Sequence, residues 1–399
     1  MARGGHGEMS ARFVPRPFFG PPRVLFGSGA LREAGQVLKD LGVLVGGKVF
    51  LVTDVTVSGL GLSRRLAEVV EAAGFTTAEF SEIRGEPSIE VAESVVTAAR
   101  AQDPVAVMGI GGGSALDMAK LAAVFLSNEG TVTEALQTPL FDRPPRPLVL
   151  IPTTAGTGAE ASRNAVVIRE GRKAFLGSPY LVPSAAILDP ELTLTLPRKV
   201  TAYTGMDALS HCIEALLSTN GTALTDAMAL QGIQIVQAYL PRAVENGSDL
   251  EARGHMLVAA YLGGLALNAG MVLGHSIAYT LANRLGIPHG LSCALALPYA
   301  MEYNARLASE RLAGIARALG VEPRAEEAVR AVRALSTAVG IPQAWKDLGL
   351  PRDALPDMVD ECLSLYPRPN NPRPLDRSSL LGLYEAAWEG QPYLEGGAA

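Results

Sequence analysis

The sequence predicts an α/β domain built on a parallel sheet, followed by an all-α domain. Three observations carry this. Short apolar runs alternate with amphipathic helical segments through the first half, the pattern of a parallel sheet covered on both faces. After Pro197 the β-branched runs stop and Ala- and Leu-rich helical periodicity takes over. With 399 residues, 48% of them apolar, the chain is long enough to fill two cores, so the division is placed at 1–195 and 196–399.

The opening MARGGHGEMSARF lacks the apolar core of a secretory signal and reads as a frayed leader. Strands are predicted at VLF (24–26), VFLVTD (49–54), TTAEF (76–80), VAVMGI (105–110) and LVLIP (148–152). Segments such as LSRRLAEVVEAAG and SIEVAESVVTAARA supply the helices between them. The pattern continues irregularly through the proline-rich turn at 138–147 and PSAAILDP (183–190). Helices then run to about 390, and YPRPNNPRP (366–374) reads as a surface loop before the last one. From Met256 to Asn283 there is no Lys, Arg, Asp or Glu, long enough to resemble a membrane span. Because that stretch holds Asn268, His275, Asn283 and several glycines, it is expected to form buried helices instead.

A net charge of −6 without a basic stripe argues against nucleic acid as a partner, since phosphate contacts need clustered Lys and Arg. Cys212, Cys293 and Cys362 are odd in number and outside any CxxC pattern. No disulfide framework is implied, and a cytoplasmic setting is expected.

Asp207 and His211 sit four apart in GMDALSHCIEALL, so on a helix they project from one face. His275 and His289 are fourteen apart, roughly 21 Å along an unbroken helix, too far to share an ion. Gly286, Pro288 and Gly290 supply a break that folds the chain back. A carboxylate with three imidazoles suits Fe(II) or Zn(II). A histidine on an apolar helix also reads as a hydrogen-bonded core residue, and spacing alone leaves both readings open.

VAVMGIGGGSALDMAK places a strand, then Gly109, Gly111, Gly112, Gly113 and Ser114, then a helix start. Glycines let backbone approach an anion, and unpaired N–H groups with the helix dipole favour phosphate there. The match to GxGxxG is imperfect because Ser114 replaces the last glycine. A dinucleotide-binding unit would also carry an acid some twenty residues after the loop. Here the available acid, Asp54, precedes it, so a different strand order is expected. IPTTAGTGAEAS (151–162) forms a second loop of small residues that can line a cofactor channel.

Together GGGSALDMAK, IPTTAGTGAEAS, GMDALSHCIEALLS and GHSIAYTLANRLGIPHG resemble the iron-containing (group III) alcohol dehydrogenase family, in family order over nearly the whole chain. The resemblance implies a Rossmann-like NAD-binding domain followed by an all-helical metal-binding domain, the dehydroquinate synthase-like/iron-containing alcohol dehydrogenase fold. It implies Asp207, His211, His275 and His289 as ligands of Fe2+ or Zn2+. Gly111, Gly112, Gly113 and Ser114 match the pyrophosphate loop, Asp117 lies near the nicotinamide side, and Thr153, Thr154 and Thr157 match the second cofactor loop. Lys173 matches a lysine bordering the cofactor. Asp54 matches the ribose-contacting position, where a carboxylate would repel a 2′-phosphate, so NAD is favoured over NADP. The implied reaction moves a hydride between NAD(H) and a small primary alcohol or aldehyde, in a homodimer or larger assembly.

Two departures stand out. Tyr279 occupies the position of a proton-relay histidine found in many members, and Glu86-Pro87 replaces a frequent Asn-Pro. Relatives of the fold with other substrates are a dehydroquinate synthase-like lyase, a maleylacetate reductase and a hydroxyacid oxidoreductase. Polyanionic substrates need cationic partners. No Lys or Arg occurs between Lys199 and Arg242, and only Arg284 between Met256 and Ala305, which disfavours the first two.

Overall fold

The computed structural model describes residues 12–138 and 141–393. Most of the expected leader, and residues 139 and 140 of the proline-rich turn, lie outside that set. The chain divides into two compact units, Phe19–Leu196 and Pro197–Ala399, the latter taking in the described residues before Phe19.

In the first unit β1 (Val24–Phe26), β2 (Lys48–Asp54), β3 (Thr76–Ile83), β4 (Ala106–Gly111), β5 (Leu148–Pro152) and β8 (Ala185–Leu188) form one sheet in the order β1-β8-β5-β4-β2-β3. Every pairing is parallel. Continuous apolar runs suit β4 and β5 because successive side chains point to opposite faces and both faces are covered. Val107, Leu148 and Leu150 enter one core, whereas Met108, Ile110, Val149 and Ile151 enter the other. The helices of this unit are α1 (Ala34–Asp40), α2 (Val55–Gly59), α3 (Leu62–Ala72), α4 (Ile89–Gln102), α5 (Gly113–Phe125) and α6 (Val132–Gln137). Between β5 and β8 lies an antiparallel hairpin, β6 (Asn164–Arg169) and β7 (Arg172–Gly177), which was not among the predicted strands. Glu170 and Gly171, at φ 52° and 74°, make its two-residue turn.

The second unit contains α7 (Arg198–Leu217), α8 (Ala223–Glu245), α9 (Leu250–Ala266), α10 (Leu273–Leu285), α11 (His289–Asn304), α12 (Ser309–Ala318), α13 (Ala325–Ala338), α14 (Leu355–Leu365) and α15 (Arg377–Glu389). α7 is buried on every side from Gly205 to Leu217 and forms the axis of the unit. Among the described residues no single helix is long and apolar enough to cross a membrane. The charge-free stretch falls mainly on α9 and α10, which with the turn after α9 pass that test only as a pair bent by 110°.

One expectation is corrected here, that of a surface loop at 366–374. Arg12 belongs with the helical unit: its guanidinium donates to Leu216 O (2.8 Å) and Ser218 O (3.0 Å) and pairs with Asp226. It thereby satisfies carbonyls left open at the end of α7. The 366–374 segment is also more than a surface loop. Asn370 donates to Ser218 Oγ and Met271 O, and buried Asn371 exchanges amide hydrogen bonds with Asn304. This segment clamps the approaches to α7, α10 and α11.

Candidate functional site

Asp207 and His211 lie one turn apart on α7, both buried. α10 presents His275. It ends at Leu285, where Gly286 takes the left-handed conformation (φ 61°), and Pro288 caps a new helix whose first residue is His289. The break thus falls where glycine and proline were expected to put it. Gly290 then allows α11 to touch α7, since a Cβ there would meet the Tyr203 carbonyl oxygen at 2.4 Å.

This folding brings three imidazoles to one oxygen. Asp207 Oδ1 lies 3.6 Å from His211 Nε2, 3.9 Å from His275 Nε2 and 3.7 Å from His289 Nε2. It is buried and accepts no hydrogen bond among the described residues. Donor atoms about 2.1 Å from a tetrahedral ion sit about 3.4 Å apart, so the spacing suits ligands around one cation better than direct hydrogen bonds. A buried carboxylate oxygen without a protein donor calls for positive charge. The four residues therefore fit a divalent metal ion.

Sequence reasoning missed Glu214 on α7. Its Oε1 lies 2.6 Å from His275 Nδ1, while Oε2 accepts from the Val272 and His275 backbone N–H groups. Gly274 makes this approach possible, because a Cβ there would lie 2.5 Å from Glu214 Oε1. The carboxylate fixes Nδ1 as the protonated nitrogen and turns the Nε2 lone pair toward Asp207, the usual support for a metal-binding histidine. Its seven-residue spacing from Asp207 was a usable signal. Cys293, one turn after His289 on α11, was missed as well: Asp207, His275, His289 and Cys293 each offer a ligand atom, all within 4.8 Å of one another.

Tyr279 stands beside the cluster as a wall. Its ring stacks on His289 (centroids 5.9 Å apart) and meets His275 edge-on at 5.8 Å, and its hydroxyl reaches Met271 Sδ. Burial pushes its phenol well above the ordinary value, partly offset by Arg368. A group held so firmly protonated makes a poor relay base. The Arg368 guanidinium lies 5.8 Å over the Tyr279 ring, brought there by the 366–374 segment. The scarcity of Lys and Arg on the neighbouring helices therefore does not leave these surroundings without a cation.

In the α/β unit β2 and β4 are neighbours, which brings Asp54 to the glycine turn although it precedes it in sequence. A Cβ on Gly111 would meet Asp54 Oδ2 at 2.9 Å and Ala115 Cβ at 2.6 Å. Asp54 Oδ1 also caps α2, accepting from the Thr56 and Val57 N–H groups. Gly112 is the N-cap of α5 and makes no side-chain cap bond, and the start of a helix is where backbone N–H groups favour an anion. Half-buried Ser114 sits in this first turn. Facing the turn, Thr154 and Thr157 would lie 3.7 and 2.8 Å from a Cβ on Gly112 and Gly113, and the Thr153 N–H donates to Gly111 O.

Asp117 sits apart from these loops in its bonding. One oxygen pairs with buried Lys120 (3.0 Å) and the other accepts from the Val166 N–H, so both are committed to fastening β6 onto α5. Burial raises its pKa, offset mainly by Lys120. The Lys173 ammonium pairs with Glu86 at 2.7 Å, so the acid of the unusual Glu86-Pro87 pair neutralises the lysine expected to border the cofactor.

A carboxylate–imidazole cluster on helices that follow a parallel α/β unit defines a candidate metal-binding enzyme. Residues 21–190 match the iron-containing alcohol dehydrogenase family, and residues 201–388 match the C-terminal part of the Fe-containing alcohol dehydrogenase family. The chain belongs to the iron-containing alcohol dehydrogenase family, and its substrates are small-molecule alcohols or aldehydes. It is 36% identical over 384 residues to long-chain-alcohol dehydrogenase 1 of Geobacillus thermodenitrificans, covering 93% of this chain and 96% of that one. To the NAD-dependent methanol dehydrogenase of Bacillus methanolicus it is 33% identical over 366 residues, covering 89% and 95%. The solved alcohol dehydrogenase from Oenococcus oeni superposes with a TM-score of 0.88 at 31% identity, covering 94% and 100%.

Proposed function

We propose that this enzyme is an NAD-preferring aldehyde reductase and alcohol dehydrogenase for small uncharged or singly charged substrates. In this reading Asp207, His211, His275 and His289 hold Fe2+ or Zn2+, and the α/β unit binds the dinucleotide. The observation that carries it is the buried, hydrogen-bond-free Asp207 Oδ1 ringed by three imidazole nitrogens at 3.6–3.9 Å. When bound, the cation supplies Lewis-acid polarisation of the carbonyl oxygen and the dinucleotide supplies hydride. Asp207 contributes the anionic charge that three neutral imidazoles lack, and Glu214 holds His275 in one tautomer and one orientation. Tyr279 excludes water from one side of the cluster, so the proton exchanged with the alcohol passes to solvent rather than through its hydroxyl.

Gly111, Gly112, Gly113 and Ser114 offer backbone N–H groups to the pyrophosphate, with Thr153, Thr154 and Thr157 opposite. The Asp54 carboxylate accepts from a ribose 2′-hydroxyl and repels a 2′-phosphate, and Asp117 positions the hairpin that carries Lys173. Elemental analysis of anaerobically purified protein, coupled to an aldehyde and ketone panel with NADH and NADPH, tests the whole reading. Stoichiometric iron or zinc with NADH-dependent turnover is expected. Metal-free protein that turns over the panel as fast as metal-loaded protein would overturn it.

A further inference from the structure

Arg368 brings a positive charge beside the metal cluster, and no carboxylate among the described residues forms an ion pair with it. Pro367 and Pro369 flank it, and a residue before proline is held to extended backbone, so a stiff segment presents this side chain. Its Nε donates to Ser276 Oγ (3.0 Å), and that hydroxyl donates in turn to Tyr366 O (2.7 Å). Ser276 is buried on α10 next to His275, so one edge of the guanidinium is pinned to the helix that carries a candidate ligand. Nη2 is buried and has no hydrogen-bond partner among the described residues. The two nearest acids in sequence serve other groups: Glu361 accepts from Asn283 Nδ2, and Asp376 caps α15.

From this arrangement we infer that Arg368 recognises a carboxylate on the substrate, which makes the preferred substrate a short aldehyde with one negative charge at the end away from its carbonyl. The inference rests on the reading proposed above and narrows it from uncharged or singly charged substrates to the charged ones. A guanidinium nitrogen held out of water without an acceptor is unfavourable, and a bound carboxylate relieves this with a charge-assisted hydrogen bond. The placement suits such a substrate. The guanidinium lies 5.8 Å from the Tyr279 ring centre, and that ring stands 5.8 and 5.9 Å from the His275 and His289 rings. A carbonyl at the cluster and a carboxylate at Arg368 are thus separated by little more than the breadth of one aromatic ring, which a chain of a few carbons spans. One fixed cation matches one anion, and a second charge on the substrate would be poorly met, because Arg284 is the only Lys or Arg from Met256 to Ala305 and it pairs with Asp357.

Steady-state kinetics of the metal-loaded enzyme with NADH test this by comparing 4-oxobutanoate with 4-methylpentanal, in which an isopropyl group of similar shape replaces the carboxylate. The wild type should favour 4-oxobutanoate in kcat/KM, a comparison that needs no substitution. Arg368→Gln removes the charge and keeps a donor for Ser276. It should lower the ratio of the two kcat/KM values by at least about 30-fold, chiefly through a higher KM for 4-oxobutanoate, and Arg368→Lys should restore part of the ratio. Calorimetric titration with 4-hydroxybutanoate, the corresponding alcohol, should show the same order of affinities without turnover. A wild type that favours the neutral aldehyde, or a variant in which both substrates lose equally, would overturn the carboxylate site and leave the oxidoreductase reading intact. No turnover of any aldehyde with NADH or NADPH would overturn that reading, and the inference with it.

Discussion

Glu214 Oε1 lies 2.6 Å from His275 Nδ1, and its other oxygen takes the backbone N–H groups of Val272 and His275. One carboxylate thus orients the imidazole and anchors the start of the helix that carries it. Both functions depend on two acceptor oxygens. Glu214→Gln has only one, so either the ring or the backbone pair then faces an NH2 group. Metal affinity should fall about 10- to 100-fold, read by titration against a coloured chelator. An affinity within twofold of wild type would show that His275 is oriented by packing alone.

Tyr279→Phe keeps the stacking on His289 and removes a hydroxyl whose hydrogen-bond partner is Met271 Sδ. Since burial keeps the phenol protonated, the pH profile of kcat/KM should match that of wild type across the neutral range. Disappearance of one limb of the profile in the variant would restore Tyr279 to the proton path.

Asp54 needs a gentler substitution than glycine, because its Oδ1 also caps α2 and losing such a cap costs about 1 kcal/mol. Asp54→Asn retains an acceptor and removes the charge. The ratio of kcat/KM for NADH over NADPH should fall, mainly through a lower KM for NADPH. If steady-state kinetics give the same ratio for both proteins, Asp54 is not at the ribose.

The sequence made the fold legible where periodicity is strong. VFLVTD, VAVMGI and LVLIP are buried on both faces and became β2, β4 and β5 nearly residue for residue. The hairpin β6–β7 escaped because its period-2 alternation is short, although the two-residue turn at Glu170-Gly171 was a signal that could have been read. At the candidate site, the convergence of Asp207, His211, His275 and His289 was expected from their types and spacing together with the family resemblance. Glu214, Cys293 and Arg368 were not. Glu214 acts through another side chain, Cys293 lies four residues after a histidine in an apolar run, and Arg368 arrives from a segment some 80 residues beyond His289. Proximity of that last kind is set by the 366–374 clamp and leaves no local pattern. Asp117, placed near the cofactor by its position in GGGSALDMAK, has a structural role that the motif did not announce, bonding Lys120 and the Val166 N–H.

Glu160, in the second loop of small residues, is 2% exposed and its Oε1 has no hydrogen-bond partner among the described residues. Burial pushes its pKa up to about 7, against smaller opposing effects of a backbone hydrogen bond and Lys120. The folded state therefore holds a proton that the unfolded chain releases near the ordinary value of 4.5. Stability should decline as pH rises from there to about 7 and then stay level, for a total of about 3 kcal/mol. Glu160→Gln removes this titration while keeping the shape. Denaturant unfolding at pH 5 and pH 8 should show the variant gaining on wild type at pH 8, with the difference shrinking toward pH 5. Parallel pH dependences for the two proteins would mean that Glu160 is ionised in the folded state, with a cation or water supplying its missing partner.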